Sequence, residues 1–143
     1  MSRSEVLKKC SDIKKMINLN DDFISKIKDH SFLTGSFRFG VENNESDIDV
    51  IVSKNCSINF KEAIDLGCVY LESQYSEDEF HSCYGLYEDR LYNFLFMNSE
   101  DAYDRWLFAT NKMALMVDDD ISFKDKIKNK EYRIKLFESL KEY

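Results

Sequence analysis

The chain reads as a single α+β domain, with helices at both ends and a mixed sheet between them. Three observations predict this. Apolar residues recur at helical spacing in residues 1–30 and 98–143, whereas residues 31–97 carry short apolar or alternating runs of strand length. The length of 143 residues, 43% hydrophobic, suits one core rather than two. No proline and no internal repeat interrupt the pattern. A mixed α/β sandwich is the alternative that the residue pattern leaves open.

Ser2 and Glu5 resemble a capping box, and Val6, Leu7, Cys10, Ile13, Met16 and Ile17 predict a first helix running through Leu19. Asn20 or Asp21 caps a second helix bearing Phe23, Ile24 and Ile27, which ends near Asp29. Its Lys26 and Lys28 fall on the solvent side. Residues 31–34 form a short first strand, closed by a Gly35-Ser36 turn. Gly40, Asn43 and Asn44 supply turn chemistry in the connection to a second strand at 47–52. A helix at 60–66 stops at Gly67, a strand covers 68–75, and Ser76-Glu77-Asp78-Glu79 makes a solvated loop.

Strands at 80–87 and 90–97 make a hairpin around Glu88-Asp89. The second arm is nearly continuously apolar, as a strand covered on both faces must be. Ser99 caps a long helix carrying Ala102, Tyr103, Trp106, Leu107, Ala109, Met113 and Met116, whose spacing marks them as core. Asp118-Asp119-Asp120 reads as a capped linker rather than a cation site. A final helix bears Phe123, Ile127, Ile134, Phe137 and Leu140.

Several function classes are disfavoured by composition. No apolar run approaches the ~20 residues needed to span a bilayer, and the first residues lack the apolar block of a signal peptide, which places the chain in a cytoplasm with no membrane partner. Cys10, Cys56, Cys68 and Cys83 form no C-x-x-C pair. They fit free thiols rather than zinc ligands, and His30 and His81 read as structural or surface residues. The net charge of −7 is unevenly spread: residues 42–104 hold three Lys/Arg against fifteen acids, while 1–41 hold eight against five and 121–143 seven against four. An acidic centre repels a long nucleic acid.

The chemistry concentrates in Gly35-Ser36 and Asp47-Ile48-Asp49. On a strand Asp47 and Asp49 point to one side while Ile48, Val50 and Val52 enter the core. Such carboxylates repel one another unless a cation lies between them. Gly35-Ser36, a residue without a side chain and then a hydroxyl, lets backbone N–H groups approach a phosphate. An edge strand with solvated acids and an ordinary turn would be the bland reading of either part alone. The two together, in this order and strand context, read as a site for a metal-bound polyphosphate.

Gly35-Ser36, ten intervening residues and Asp47-Ile48-Asp49 resemble the signature of the DNA polymerase β-like nucleotidyltransferase superfamily. Gly35-Ser36-Phe37-Arg38-Phe39-Gly40 before Ser46-Asp47-Ile48-Asp49 is similar to the segment of its minimal bacterial and phage members. The resemblance implies a polymerase β-like fold with a mixed, mostly antiparallel sheet flanked by helices. It also implies transfer of a nucleoside monophosphate from an NTP, commonly ATP, to a hydroxyl or phosphate acceptor. Asp47 and Asp49 would supply the hard oxygen ligands that Mg²⁺, or Mn²⁺ in its place, prefers. Ser36 would hold the β- and γ-phosphates, and Arg38 would either neutralise the triphosphate or be a surface charge.

Active members of that superfamily place a third carboxylate on a neighbouring strand. Here the strand at 91–97 offers Asn93, which can coordinate through its carbonyl oxygen but carries no charge and cannot act as a base. Glu72 is the nearest substitute. Three expectations follow from the resemblance: an enzyme using Asp47, Asp49 and Asn93; a nucleotide-binding or regulatory module without catalysis; or an antitoxin-type protein pairing with an all-helical toxin of the HEPN type. A protein hydroxyl, an RNA end and a small molecule are all open as acceptors.

Overall fold

The computed structural model describes residues 3–13, 18–71 and 78–142, apart from the side chains of 10–13. Four strands, β1 (Ser31–Thr34), β2 (Ile48–Val52), β3 (Phe80–Tyr87) and β4 (Arg90–Met97), form one open sheet in the order β1-β2-β4-β3. β1 runs antiparallel to β2 and β3 antiparallel to β4, while β2 and β4 are parallel. The class is therefore α+β with a mixed sheet. Buried β2 and β4 occupy its centre, which their apolar runs require.

Seven helices stand among the described residues: α1 (Arg3–Ile13), α2 (Asp21–Lys28), α3 (Gly35–Phe39), α4 (Phe60–Asp65), α5 (Glu100–Asp119), α6 (Ile121–Ile127) and α7 (Lys130–Lys141). Five of them start on a side-chain cap: Asn20, Asn59, Ser99, Asp120 and Asn129 each accept a backbone N–H from the first turn. Each such cap contributes about 1 kcal/mol. No described helix is long and apolar enough to cross a membrane.

The sheet's faces divide the core. Ile48, Val50, Val52, Cys83, Phe94 and Phe96 pack with Phe23 and Ile27 of α2 and Ala63 of α4. On the opposite face, Ile51, Phe80, Leu95 and Met97 meet Ala102, Tyr103 and Trp106 of α5. Farther along that face Leu91, Tyr84 and Leu86 meet Val6 and Leu7 of α1. Thus α5 and α1 cover two ends of one face and leave the strip between them open. Phe39 of α3 joins α5, α6 and α7 in a separate helical core with Ala109, Met113, Phe123, Ile127 and Phe137.

Several sequence expectations need correction. Leu19 is not helical, because its N–H bonds the Leu86 carbonyl at 2.6 Å and the chain runs beside β3. Gly35-Ser36 is not a turn but the start of α3, which closes at Gly40 in the left-handed conformation. β2 begins at Ile48, so Asp47 precedes the strand. The strand expected from Cys68 reduces, among the described residues, to one bridge between Val69 and Tyr84. The single final helix is two, because Asn129 starts α7 afresh. Residues 14–17 and Glu72 lie outside the described residues. Cys56, Cys68 and Cys83 are free and buried.

The hairpin turn holds Glu88 at φ 51° and Asp89 at φ 63°. A two-residue turn of this kind prefers Asn-Gly, since left-handed backbone strains a residue with a Cβ. Replacing both, Glu88→Asn with Asp89→Gly, should stabilise the protein by about 0.5–1.5 kcal/mol, read as a higher denaturant midpoint at an unchanged slope.

Candidate functional site

One row of paired residues crosses the whole sheet: Thr34 on β1 faces Asp49 on β2, Asp49 faces Asn93 on β4, and Asn93 faces Tyr84 on β3. Paired neighbours share a face, so all four side chains lie on one side of the sheet; Thr34 is covered by α5 and Tyr84 by α1, and Asp49 and Asn93 between them face the strip that the two helices leave open. That strip is the floor of a cleft of about 830 Å³, lined among others by Gly35, Ser36, Asp47, Asp49, Asn93 and Trp106.

The approach to the acids is built by local hydrogen bonding. Thr34 is buried, its hydroxyl 2.8 Å from that of Thr110 on α5, which anchors the end of β1. Gly35 then turns the chain into α3 at φ +73°. A Cβ here would collide with Asp49 Oδ2, so the position needs glycine for its dihedral and for this approach. Gly40 and Val41 N–H groups close α3 on the Phe37 and Ser36 carbonyls at 3.3 and 2.9 Å. The following loop is stitched by Asn43 N–H to Ser46 Oγ at 2.9 Å and Glu45 N–H to Asn43 Oδ1 at 2.8 Å. Glu45 is tied to α1 by accepting from the Ser4 N–H and hydroxyl at 3.0 and 2.9 Å. These constraints deliver Asp47 beside Asp49.

Asp47 and Asp49 are half-buried on the cleft floor. Burial, then the neighbouring Asp47 charge, holds the Asp49 carboxyl well above the usual carboxylate range. The Asn93 Nδ2 group donates to Asp49 Oδ1 at 3.3 Å, and the Lys130 and Arg133 charges also favour the carboxylate, but they do not outweigh burial and repulsion. Asp47 is raised too, by burial, against its own backbone N–H and the Lys130 charge. Asn93 Oδ1 is buried and accepts no hydrogen bond from any described residue. A buried amide oxygen in that state carries an unmet demand of about 1–3 kcal/mol.

Two repelling carboxylates, an amide oxygen without a donor and a glycine-lined approach fit a hard divalent cation such as Mg²⁺. Three carboxylate, histidine or cysteine ligands do not converge anywhere among the described residues, since the third place on this floor is the Asn93 amide. Five residues singled out from sequence, Gly35, Ser36, Asp47, Asp49 and Asn93, line one cleft. Arg38 does not join them: it is exposed and lies outside the lining.

Sequence reasoning missed the wall contributed by α7, from which Lys130, Arg133 and Lys141 face the cleft. Their one signal was spacing, three and eight residues apart on a helix otherwise read for its apolar positions. Lys141 is a buried lysine with a side chain 4% exposed, bonded to Glu79 at 2.8 Å and Glu138 at 2.9 Å, with Nζ 4.4 Å from the Trp106 ring centroid. This clasp joins the end of α7 to the start of β3. Glu79 also accepts from Trp106 Nε1 at 3.4 Å and pairs with Arg105 at 3.4 Å. No family model, curated protein or solved structure matches the chain.

A carboxyl group whose pKa is raised by folding binds its proton more tightly in the folded state. Its favourable contribution is present below the unfolded value of about 4 and is lost as pH rises through the raised folded value. In metal-free protein the Asp47–Asp49 pair should therefore contribute less to stability at neutrality than at about pH 4. Asp49→Asn should flatten that slope and stabilise the protein by about 0.5–2 kcal/mol at neutral pH in chelator, measured by thermal denaturation across pH. Gly35→Ala should do the reverse, costing about 1–3 kcal/mol.

Proposed function

We propose that this chain is a nucleotidyltransferase that binds a nucleoside triphosphate, ATP first among them, with Mg²⁺ or Mn²⁺. It would pass the nucleoside monophosphate to a hydroxyl or phosphate acceptor. The observation that carries this reading is the meeting of Asp47, Asp49 and the donor-less Asn93 Oδ1 on one cleft floor beside Gly35-Ser36.

In such a transfer the acceptor oxygen bonds to the α-phosphorus, the bond to the bridging oxygen breaks, and pyrophosphate leaves with that electron pair. The bound cation supplies neutralisation of the charge that collects on the phosphates. Asp47 and Asp49 would hold it from the sheet, and Asn93 would add a neutral oxygen while its Nδ2 group keeps Asp49 oriented. The absent Cβ of Gly35 lets the backbone at the start of α3 lie directly against the Asp49 carboxylate, and Ser36 lies within the same lining. The acceptor proton passes to solvent or to an acid of the pair, since Asn93 cannot take it.

Asn93 also favours a second reading, a module that holds the nucleotide without transferring it. The antitoxin-type reading needs an apolar helical surface, and Phe108, Leu115 and Ile121 supply exposed apolar side chains at 48%, 59% and 81%.

The test incubates the protein with each α-labelled NTP, Mg²⁺ or Mn²⁺, and protein, RNA and small-molecule acceptors. Label transfer that Asp47→Asn abolishes is the expected result. Absence of both transfer and an NTP-dependent rise in melting temperature would overturn the proposal; a rise without transfer would select the holding module. Under the holding reading Asn93→Asp should create activity, whereas in a working enzyme it should change an existing rate.

A further inference from the structure

The helix α7 turns one face to the cleft: Lys130, then Arg133 with Ile134, then Phe137 with Glu138, then Lys141 line it on successive turns, as a 3.6-residue period requires. The cations on this face are not equivalent. Lys141 is enclosed by Glu79, Glu138 and the Trp106 ring, which fixes it as part of the clasp. Lys130 and Arg133, at the other end of the helix, line the same cleft as Asp47 and Asp49. The Arg133 guanidinium is held in place by donating from Nη1 to the Ile127 carbonyl at 2.7 Å.

A metal-bound triphosphate carries more negative charge than one divalent cation cancels. In this acid-rich cleft the remainder needs cations from the protein. Arg38, exposed and outside the lining, is not placed to supply them.

We propose that Lys130 and Arg133 form the polyphosphate-holding wall of the cleft, gripping the pyrophosphate portion of the nucleotide from α7 while Asp47 and Asp49 hold its cation from the sheet. The assignment rests on the metal-polyphosphate reading of the floor and names positioning residues for it. Arg133 suits bidentate contact with phosphate oxygens, and Lys130 acts as a point charge beside it.

The test uses inorganic tripolyphosphate with Mn²⁺ as the probe, followed by calorimetry, and Mn²⁺ alone, followed by electron paramagnetic resonance. Lys130→Gln and Arg133→Gln should each weaken tripolyphosphate binding about tenfold. Both should leave Mn²⁺ alone bound as tightly or tighter, because each removes a positive charge facing the acids; a merely structural loss would weaken both ligands together. Lys130→Arg should keep most of the affinity, and Arg38→Gln should change nothing. Lys130 is exposed, so its variants test the wall without disturbing the core. Wild-type tripolyphosphate affinity in Lys130→Gln and Arg133→Gln, alongside its loss in Asp47→Asn, would overturn this inference and leave the floor reading standing. A wild-type protein that binds neither Mn²⁺ nor tripolyphosphate would overturn both.

Discussion

The crowding of Asp49 against Gly35, with a second carboxylate on the same floor, is the constraint on which the rest of the structure depends. Gly35 sits so close to Asp49 that no side chain fits between them, and Asp47 adds a like charge on the same floor. Left alone, such an arrangement would open or turn to solvent. It persists because β1, β2 and β4 are held in one register, with Thr34, Asp49 and Asn93 side by side, and because Thr34 is pinned to Thr110 beneath the helical layer. The close approach at the site is maintained by packing elsewhere.

That packing is distributed to keep the floor open. The apolar residues of β2 and β4 on the far face bury themselves against α2 and α4, independently of the acids. On the near face α5 and α1 take opposite ends, so both contribute walls. The third wall comes from α7, whose C-terminal half is secured by Phe137 in the core with Phe39 and Met113 and, one turn on, by the Lys141 clasp on Glu79. A buried ammonium paired with two part-exposed carboxylates over an aromatic ring ties the end of α7 to the start of β3. The basic face of α7 is thereby aimed at the acids across the cleft.

Much of this was legible in the chain. The caps were visible as Asn20, Ser99 and Asp120 because capping is a local exchange between one side chain and the next turn's N–H groups. The hairpin and the central place of β4 were readable from apolar continuity, and Asp49 from period-two alternation, whereas Asp47 lies just before the strand. The short helix α3 was not, since five residues beginning with glycine carry too little periodicity to distinguish a helix from a turn. Nor was the break between α6 and α7, where Asn129 looked like any polar position within a helix until the chain was seen to restart there.

Taken alone, the sequence determined the class of the domain, most of its elements and the residues of the floor, Gly35, Ser36, Asp47, Asp49 and Asn93. The elements, Gly35-Ser36 and the two acids depend on neighbours within a few positions, which spacing reports, whereas Asn93 is singled out by the resemblance and meets Asp49 through strand pairing 44 positions away. Tertiary structure decided which charged residues face that floor. It excluded Arg38, turned Lys141 into a buried clasp and brought Lys130 and Arg133 opposite acids some eighty residues earlier. The reason is physical: a lysine or arginine looks the same in sequence whether solvated or aimed into a cleft, and only the packing of α7 on α5 settles the direction.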